Sequence, residues 1–369
     1  MKWVKPNYKN SIVSLVHSIE NYFEVEHHEN TLKEVDKILK ELNKKNIILL
    51  LYDGFGYNLL ENNKELCPNL YKHLLGKISS VFPPTTAAAT TSVMSGLEPV
   101  EHGWLGWDMY FKDFDKVITL FLNEEKDTKE NIEGYPGTYS LLPYKSITEK
   151  ISEKEGCLGT IVSPFADHKY ESYDIEGLHN EILKVCSNDK HNYIYGYYEN
   201  PDSSLHEFGT KSEEVKKELK RIDESFGKFI NSIEDSLVFV IADHGHTDVE
   251  TITLSEHEEI FPMLKGNVGI DGRATSFRVK DEYISIFPEK IKKLLKDDFL
   301  LLSKEEIISD NWFGEGIENK YFKDGIGDFI AIGISNKSIR YDERGHAFKS
   351  THAGITKDEV YVPLILVKK

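Results

Sequence analysis

An α/β fold built on a doubly wound, mostly parallel sheet is predicted by three observations. Short apolar runs that read as buried strands recur along the chain, as "NIILLLYDGFG", "CLGTIVSPF", "KHNYIYGYYENPDSSLH" and "SLVFVIADHGH". Helical patterns lie between them, and strand alternating with helix argues for parallel pairing. Three of the runs end on carboxylate or imidazole side chains, at the strand ends where open α/β sheets form their sites.

Taken in order, residues 1–45 are expected to form a helical segment packing on the core, an amphipathic helix after a short arm in "MKWVKPNYKNSIVSLVHSIENYF". "NIILLLY" is apolar throughout, as a strand buried on both faces must be. Pro83-Pro84 ends an extended run, because proline disfavours a helical residue before it. "TTAAATTSVMS" then predicts an Ala-rich helix closed by Gly96. "YKSITEKISEKEG" predicts a helix ended by Gly156, with "CLGTIVSPF" as the next strand. In "KSEEVKKELKRIDESFGKFINSI" the residues Val215, Leu219, Ile222, Phe226, Phe229 and Ile233 share one helical face. From 253 to 344 the texture changes. Strand-like "ATSFRVK", helical "PEKIKKLLKD", then "FLLLSKEEII" and "DFIAIGIS" predict a small α/β cap. The cap would be inserted into a core of residues 46–252 plus 345–369, whose last strand is "YVPLILVKK".

Asp and Glu total 62 against 45 Lys and Arg, a formal charge of −17 in 369 residues. Such a surface repels nucleic-acid polymers and anionic membranes. It does not repel a small anionic substrate from a site where bound metal dominates the local field. No apolar stretch is long enough to span a bilayer, and the N-terminus lacks the apolar centre of a signal peptide. Cys67, Cys157 and Cys186 are odd in number and far apart, so they suggest neither a disulfide framework nor a thiolate metal site. A cytoplasmic protein is expected. No internal repeats or low-complexity segments are present.

The strand ends carry the chemistry. Asp53 follows the first strand, Asp202 and His206 the third, Asp243 and His244 the fourth, and His352 precedes the last. Each alone reads equally as a turn or a helix cap. Together they make three Asp and three His at one sheet edge, and such side chains ligate zinc and other first-row divalent ions. Two ions side by side would clamp both oxygens of a phosphoryl displacement. Thr85 and Thr86 open the Ala-rich helix, where free N–H groups and the helix dipole suit a phosphate. His246 and His346 are expected to support the site or lie at the surface.

These residues, in this order, resemble the alkaline phosphatase superfamily, most closely its type I phosphodiesterase/nucleotide pyrophosphatase family. The carrying stretches are "LLLYDGFG", "VFPPTTAAATTSVMSGLEPVEHG", "YYENPDSSLHEFG", "VIADHGHTDV" and "THAGITKDEVYVPLIL". The resemblance implies an alkaline-phosphatase-like core and a hydrolase with two divalent metal ions, zinc expected and manganese the other candidate. It implies that Asp202, His206 and His352 hold one ion, and Asp53, Asp243 and His244 the other. Thr86 falls on the family's nucleophile, binding the metals and forming a phosphothreonine. The implied substrate is small, phosphorylated and nucleotide-like, cleaved at a phosphodiester or pyrophosphate bond.

The chain departs from the pattern in places. The family usually has Lys or a similar residue before the nucleophile and "F-P-N" after it; here Thr85 precedes Thr86 and "AAA" follows. An Asn that steadies a phosphoryl oxygen is replaced by Trp107 in "GWDMY". Arg273 is the candidate to replace that donor, and Trp104 with Trp107 to form an aromatic wall for the substrate. A phosphomonoesterase or phosphonate hydrolase using the same side chains is the second reading. A metal- and phosphate-binding protein without turnover is the third. The missing Cys-x-Pro-x-Arg motif argues against a sulfatase.

Overall fold

Strand β1 (Asn46–Tyr52) is buried along its whole length, with neighbours on both sides. The structure, a computed structural model, describes residues 3–165 and 174–369; the first two residues of the N-terminal arm lie outside them. The sheet around β1 contains β2 (Leu74–Ser79), β6 (Cys157–Val162), β7 (His191–Tyr198), β8 (Ser236–Ile241) and β17 (Tyr361–Lys368), in the order β2-β17-β8-β1-β7-β6. β6, β7, β1 and β8 pair in parallel; β17 runs antiparallel to both β8 and β2. Five of the six strands therefore point the same way. Leu49 sits opposite Tyr195 on one side and Phe239 on the other.

Helices cover both faces. Successive side chains of a strand point to opposite faces, so Tyr193 and Gly196 of β7 report on different layers. Tyr193 meets Phe23 of the helix Ile12–Phe23, and with Tyr195 packs near Met94 and Ile147. Gly196 faces Leu178 and Ile182 of the helix Ile175–Cys186. Tyr198, on that same face, donates to Glu218 of the helix Glu213–Ser232. The amphipathic stripe of this long helix is buried from Val215 to Phe229, as the spacing predicts. The sheet is doubly wound, and one continuous core joins its strands to the N-terminal helix.

A second sheet of seven antiparallel strands stands beside the first, in the order β13-β14-β12-β11-β3-β4-β5. Here β3 is Asp108–Phe111, β4 Lys116–Thr119, β5 Glu124–Glu125, β11 Gly269–Ile270, β12 Ala274–Phe277, β13 Phe299–Ser303 and β14 Phe329–Gly333. Four of its strands come from the segment 253–344. Three come from 108–125, which the sequence alone assigns to the core. Met109, Phe111 and Ile118 from that upstream segment bury against Ile270, Ile330 and Ile332, so the two segments share one apolar cluster. Two short ribbons complete the topology. β9 (Thr247–Asp248) pairs with β16 (Ser350–Thr351), and β10 (Glu250–Thr253) with β15 (Lys337–Arg340).

The helix Thr86–Ser95 ends at Gly96, whose φ of 77° is the left-handed C-cap that glycine adopts at little steric cost. Thr86 is the first residue of this helix.

Candidate active site

Asp53, Asp202 and Asp243 follow the carboxyl ends of β1, β7 and β8, three parallel neighbours of one sheet. The turns that carry them cross closely. A Cβ on Gly245 would lie 2.0 Å from the Asp358 carbonyl oxygen, and one on Gly56 would lie 2.6 Å from the Gly245 Cα. Glycine is what lets the Asp-Gly-Phe-Gly and Asp-His-Gly turns pass each other.

One group of donors forms around His244. Asp243 Oδ1 accepts from the backbone N–H of Gly54 at 3.0 Å and of His244 at 2.9 Å. Its Oδ2 is buried without a partner among the described residues. Asp53 Oδ2 accepts from the Tyr197 hydroxyl at 2.5 Å, and its Oδ1 is likewise buried without a partner. His244 Nε2 lies 3.4 Å from both of these oxygens and 3.2 Å from Thr86 Oγ1. His244 Nδ1 faces the Gly245 carbonyl at 3.2 Å, a partner that can only accept, so Nε2 keeps its lone pair.

A second group forms around Asp202, the first residue of the short helix Asp202–Phe208. His206, one turn on, and His352, after β16, place Nε2 at 3.4 and 3.9 Å from Asp202 Oδ1. His206 Nδ1 donates to the Ser350 carbonyl at 2.9 Å, which again leaves Nε2 bare. His246 Nε2 is closer to Asp202 Oδ1, at 2.6 Å. The rings of His244 and His352 stack at 3.8 Å, so the two groups adjoin.

This donor set fits divalent cations. Two orphaned carboxylate oxygens and an imidazole lone pair converge in a space closed to water, where unpaired charge is costly. Ligands about 2.0–2.1 Å from one tetrahedral ion lie about 3.3 Å from each other, and the 3.4 Å separations match that edge. Electrostatics agree. Burial pushes the Asp53 carboxyl well above the usual carboxylate range, with the Asp243 and Asp202 charges adding to it. Burial would raise Asp202 as well, but the imidazoles of His206, His246 and His352 outweigh it and hold that carboxyl low.

A cavity of about 730 Å³ opens from Thr86, Asp202, His206 and His352. Trp107, 42% exposed, forms part of its wall, as does His346. Trp104 does not. It is fully buried, and its indole N–H donates to the Leu142 carbonyl. Arg273 requires a correction too. Its guanidinium is fully buried and fastened to Glu359 at 2.6 and 2.7 Å, so it does not reach the cavity to replace a phosphoryl-binding donor. The physical reason is Glu359, a buried carboxylate on the return to β17 that requires a cation. Thr85 turns from the Asp and His groups and donates to Asp271 Oδ2 at 3.0 Å. Sequence reasoning misses Tyr197, Ser350 and Asp271, because nothing in their local pattern separates them from strand and loop residues.

The sequence model of the type I phosphodiesterase / nucleotide pyrophosphatase family matches residues 47–354. Bovine (Bos taurus) ectonucleotide pyrophosphatase/phosphodiesterase family member 3 is 22% identical over 288 residues, 71% of this chain and 30% of that protein. Venom phosphodiesterase 2 of Crotalus adamanteus is 25% identical over 224 residues, 55% of this chain and 27% of that protein. The chain thus spans less than a third of the length of these relatives. Among solved structures, murine ectonucleotide pyrophosphatase/phosphodiesterase 5 superposes with a TM-score of 0.65 at 16% identity, over 86% of this chain and 87% of that one. Phosphonoacetate hydrolase of Sinorhizobium meliloti, bound to phosphonoformate, gives 0.62 at 15% identity, over 86% and 89%. These likenesses show a shared fold. With the family's pattern running over residues 47–354, the chain belongs to the type I phosphodiesterase / nucleotide pyrophosphatase family.

Proposed function

We propose that the protein is a two-cation hydrolase that cleaves phosphodiester or pyrophosphate bonds of small nucleotide-like substrates through Thr86. The observation that carries this reading is the partnerless pair Asp53 Oδ1 and Asp243 Oδ2, gathered with His244 Nε2 beside the Thr86 hydroxyl. Asp53, Asp243 and His244 would hold one ion and Asp202, His206 and His352 the other, zinc or else manganese. When bound, such ions neutralise charge on phosphoryl oxygens and favour the ionised hydroxyl of the nucleophile. Thr86, at the positive end of its helix, holds its Oγ where a phosphoryl group would lie. The Thr86 oxygen attacks phosphorus as the bond to the leaving group breaks, giving a phosphothreonine. Water then cleaves the threonine–phosphorus bond. Trp107 offers an aromatic face to the organic part of the substrate.

Hydrolysis of a monoester or phosphonate by the same side chains is the second reading. Trp107, standing where the resemblance calls for a phosphoryl-binding asparagine, favours it. The test is the rate of zinc-loaded protein on a nitrophenyl nucleotide diester against nitrophenyl phosphate, with Thr86→Ala as the blank. Faster diester cleavage lost in the variant supports the first reading. Faster monoester cleavage moves the assignment to the second, and no Thr86-dependent cleavage of either removes both.

A further inference from the structure

His246 stands in a different relation to Asp202 from the other two imidazoles. His206 Nε2 lies 3.4 Å from Asp202 Oδ1, the spacing of atoms that share a cation, and His352 Nε2 lies wider, at 3.9 Å. His246 Nε2 lies 2.6 Å from the same oxygen, too close for a co-ligand and right for a charge-assisted hydrogen bond. An ionised carboxylate only accepts, so His246 Nε2 carries the proton and has no lone pair to give a metal. We propose that His246 is a positioning residue, which fixes the Asp202 carboxylate for the cation held by Asp202, His206 and His352 without touching that cation. This inference rests on the two-cation reading above.

The other end of the ring is fixed as well. His246 Nδ1, left with its lone pair, lies 3.1 Å from Ser350 Oγ, whose one hydroxyl proton it shares with the Leu205 carbonyl 2.7 Å away. The carbonyl of Ser350 accepts from His206 Nδ1. One fully buried serine thus sets the orientation of both the ligand His206 and the support His246. The β9–β16 ribbon explains why the serine is in place. Its register pairs Asp248 with Ser350 and Thr247 with Thr351, which brings His246 and His352 to the same end. His246 is packed against the rings of His206 and His352 at 4.8 and 5.2 Å, so it has little room to swing.

Each of the three carboxylates is then steadied by a donor. Two backbone N–H groups hold Asp243, the Tyr197 hydroxyl holds Asp53, and His246 holds Asp202. Donors that orient metal ligands typically contribute about 10–100-fold in metal affinity.

The experiment compares wild type, His246→Ala and His246→Gln by zinc titration against a competing chelator, and by X-ray absorption of the fully loaded proteins. His246→Ala is expected to bind one of two zinc ions about 10–100-fold more weakly, with the other unchanged. His246→Gln, whose carboxamide N–H reaches toward the same oxygen, is expected to recover most of that loss. Absorption is expected to show three imidazoles shared by two zinc ions, in wild type and His246→Gln alike. Four in wild type, falling to three in the variant, would make His246 a ligand and overturn the proposal. So would equal affinity for both ions in His246→Ala. If His246→Ala does not fold, the imidazole count and the His246→Gln affinity decide alone. Wild type that binds no divalent ion would overturn the two-cation reading itself, a separate failure.

Discussion

Thr86 Oγ1 lies 3.2 Å from His244 Nε2, although 158 residues separate them in the chain. The helix start that carries Thr86 and the end of β8 that leads to His244 are brought together by the sheet, not by local sequence. Thr86→Ala should therefore remove turnover and leave the fold. Deleting a nucleophile typically costs at least about 10³-fold. Alanine suits a first helical position, so the melting temperature should stay within about 4 °C of wild type. Steady-state rates and a thermal melt check this together; a variant with more than a tenth of wild-type turnover would remove Thr86 from the chemistry.

The core strands and the gathering of Asp and His at their ends are legible in the sequence because parallel strands buried on both faces are apolar throughout, and their ends expose the Asp and His that interrupt them. "NIILLLY" and "SLVFVI" announce β1 and β8 in this way. The second sheet was only half legible. β3 to β5 are short and flanked by charged residues, and the strand that joins them to the rest of the sheet, β3, pairs with β11 far downstream, so no local pattern joins Asp108 to Ile270. Arg273 was misread because a sequence shows a cation near a site but not the buried Glu359 that claims it.

That buried pair has its own consequence. Arg273 Nε and Nη2 both bond Glu359, and Nη1 donates to the Lys337 carbonyl. Removing one partner leaves a buried charge uncompensated, which typically costs about 3–5 kcal/mol. Arg273→Ala should lose that much in urea unfolding, without a specific rise in KM for its folded fraction. A variant as stable as wild type with a raised KM would return Arg273 to a substrate-binding role.

Trp107 is an exposed aromatic of the cavity wall, and its ring also leans on Phe121 at 5.7 Å. Stacking of a base or ring on such a face is worth about 1–3 kcal/mol. Trp107→Ala should raise KM for a nucleotide diester about tenfold or more and change KM for nitrophenyl phosphate less. Equal changes for both substrates would mean that Trp107 shapes the cavity without contacting the organic group.

Asp271, on the wall of the same cavity, supplies a pH signature. Burial pushes its carboxyl up to about 6, against hydrogen bonds from the Gly272 N–H and the Thr85 hydroxyl. In the unfolded chain the value is about 3.9. The folded state thus prefers the protonated form, and the stability it gains is complete below about pH 4 and lost as pH rises to about 6. Asp271→Asn keeps a neutral group there at every pH. In metal-free protein the variant should gain on wild type across that window, by on the order of 1–2 kcal/mol at the part-exposed cavity edge, and hold the gain above it. Melts from pH 4 to 8 test this; a difference independent of pH would mean that Asp271 ionises normally.

On the two-cation proposal, removing the ions should be a two-step event, because the two groups of proposed ligands differ in access. The side chains of Asp53, Asp243 and His244 are 3%, 0% and 0% exposed, while Asp202 and His206, on the cavity, are 15% and 16% exposed. A chelator would reach an ion at Asp202 and His206 from the cavity, whereas an ion at Asp53, Asp243 and His244 would be enclosed. The enclosed group also has more to lose, since the partnerless oxygens of Asp53 and Asp243 would be left facing each other in a dry site. Each ion stabilises only the folded chain, by about 2.7 kcal/mol at a hundredfold excess over its Kd. Stepwise chelation of zinc-loaded protein should therefore release one equivalent quickly with a modest fall in melting temperature, and the second slowly with a larger fall. Release of both in a single fast phase would mean that the groups form one open site, and the division of ligands between Asp53, Asp243 and His244 on one side and Asp202, His206 and His352 on the other would have to be redrawn.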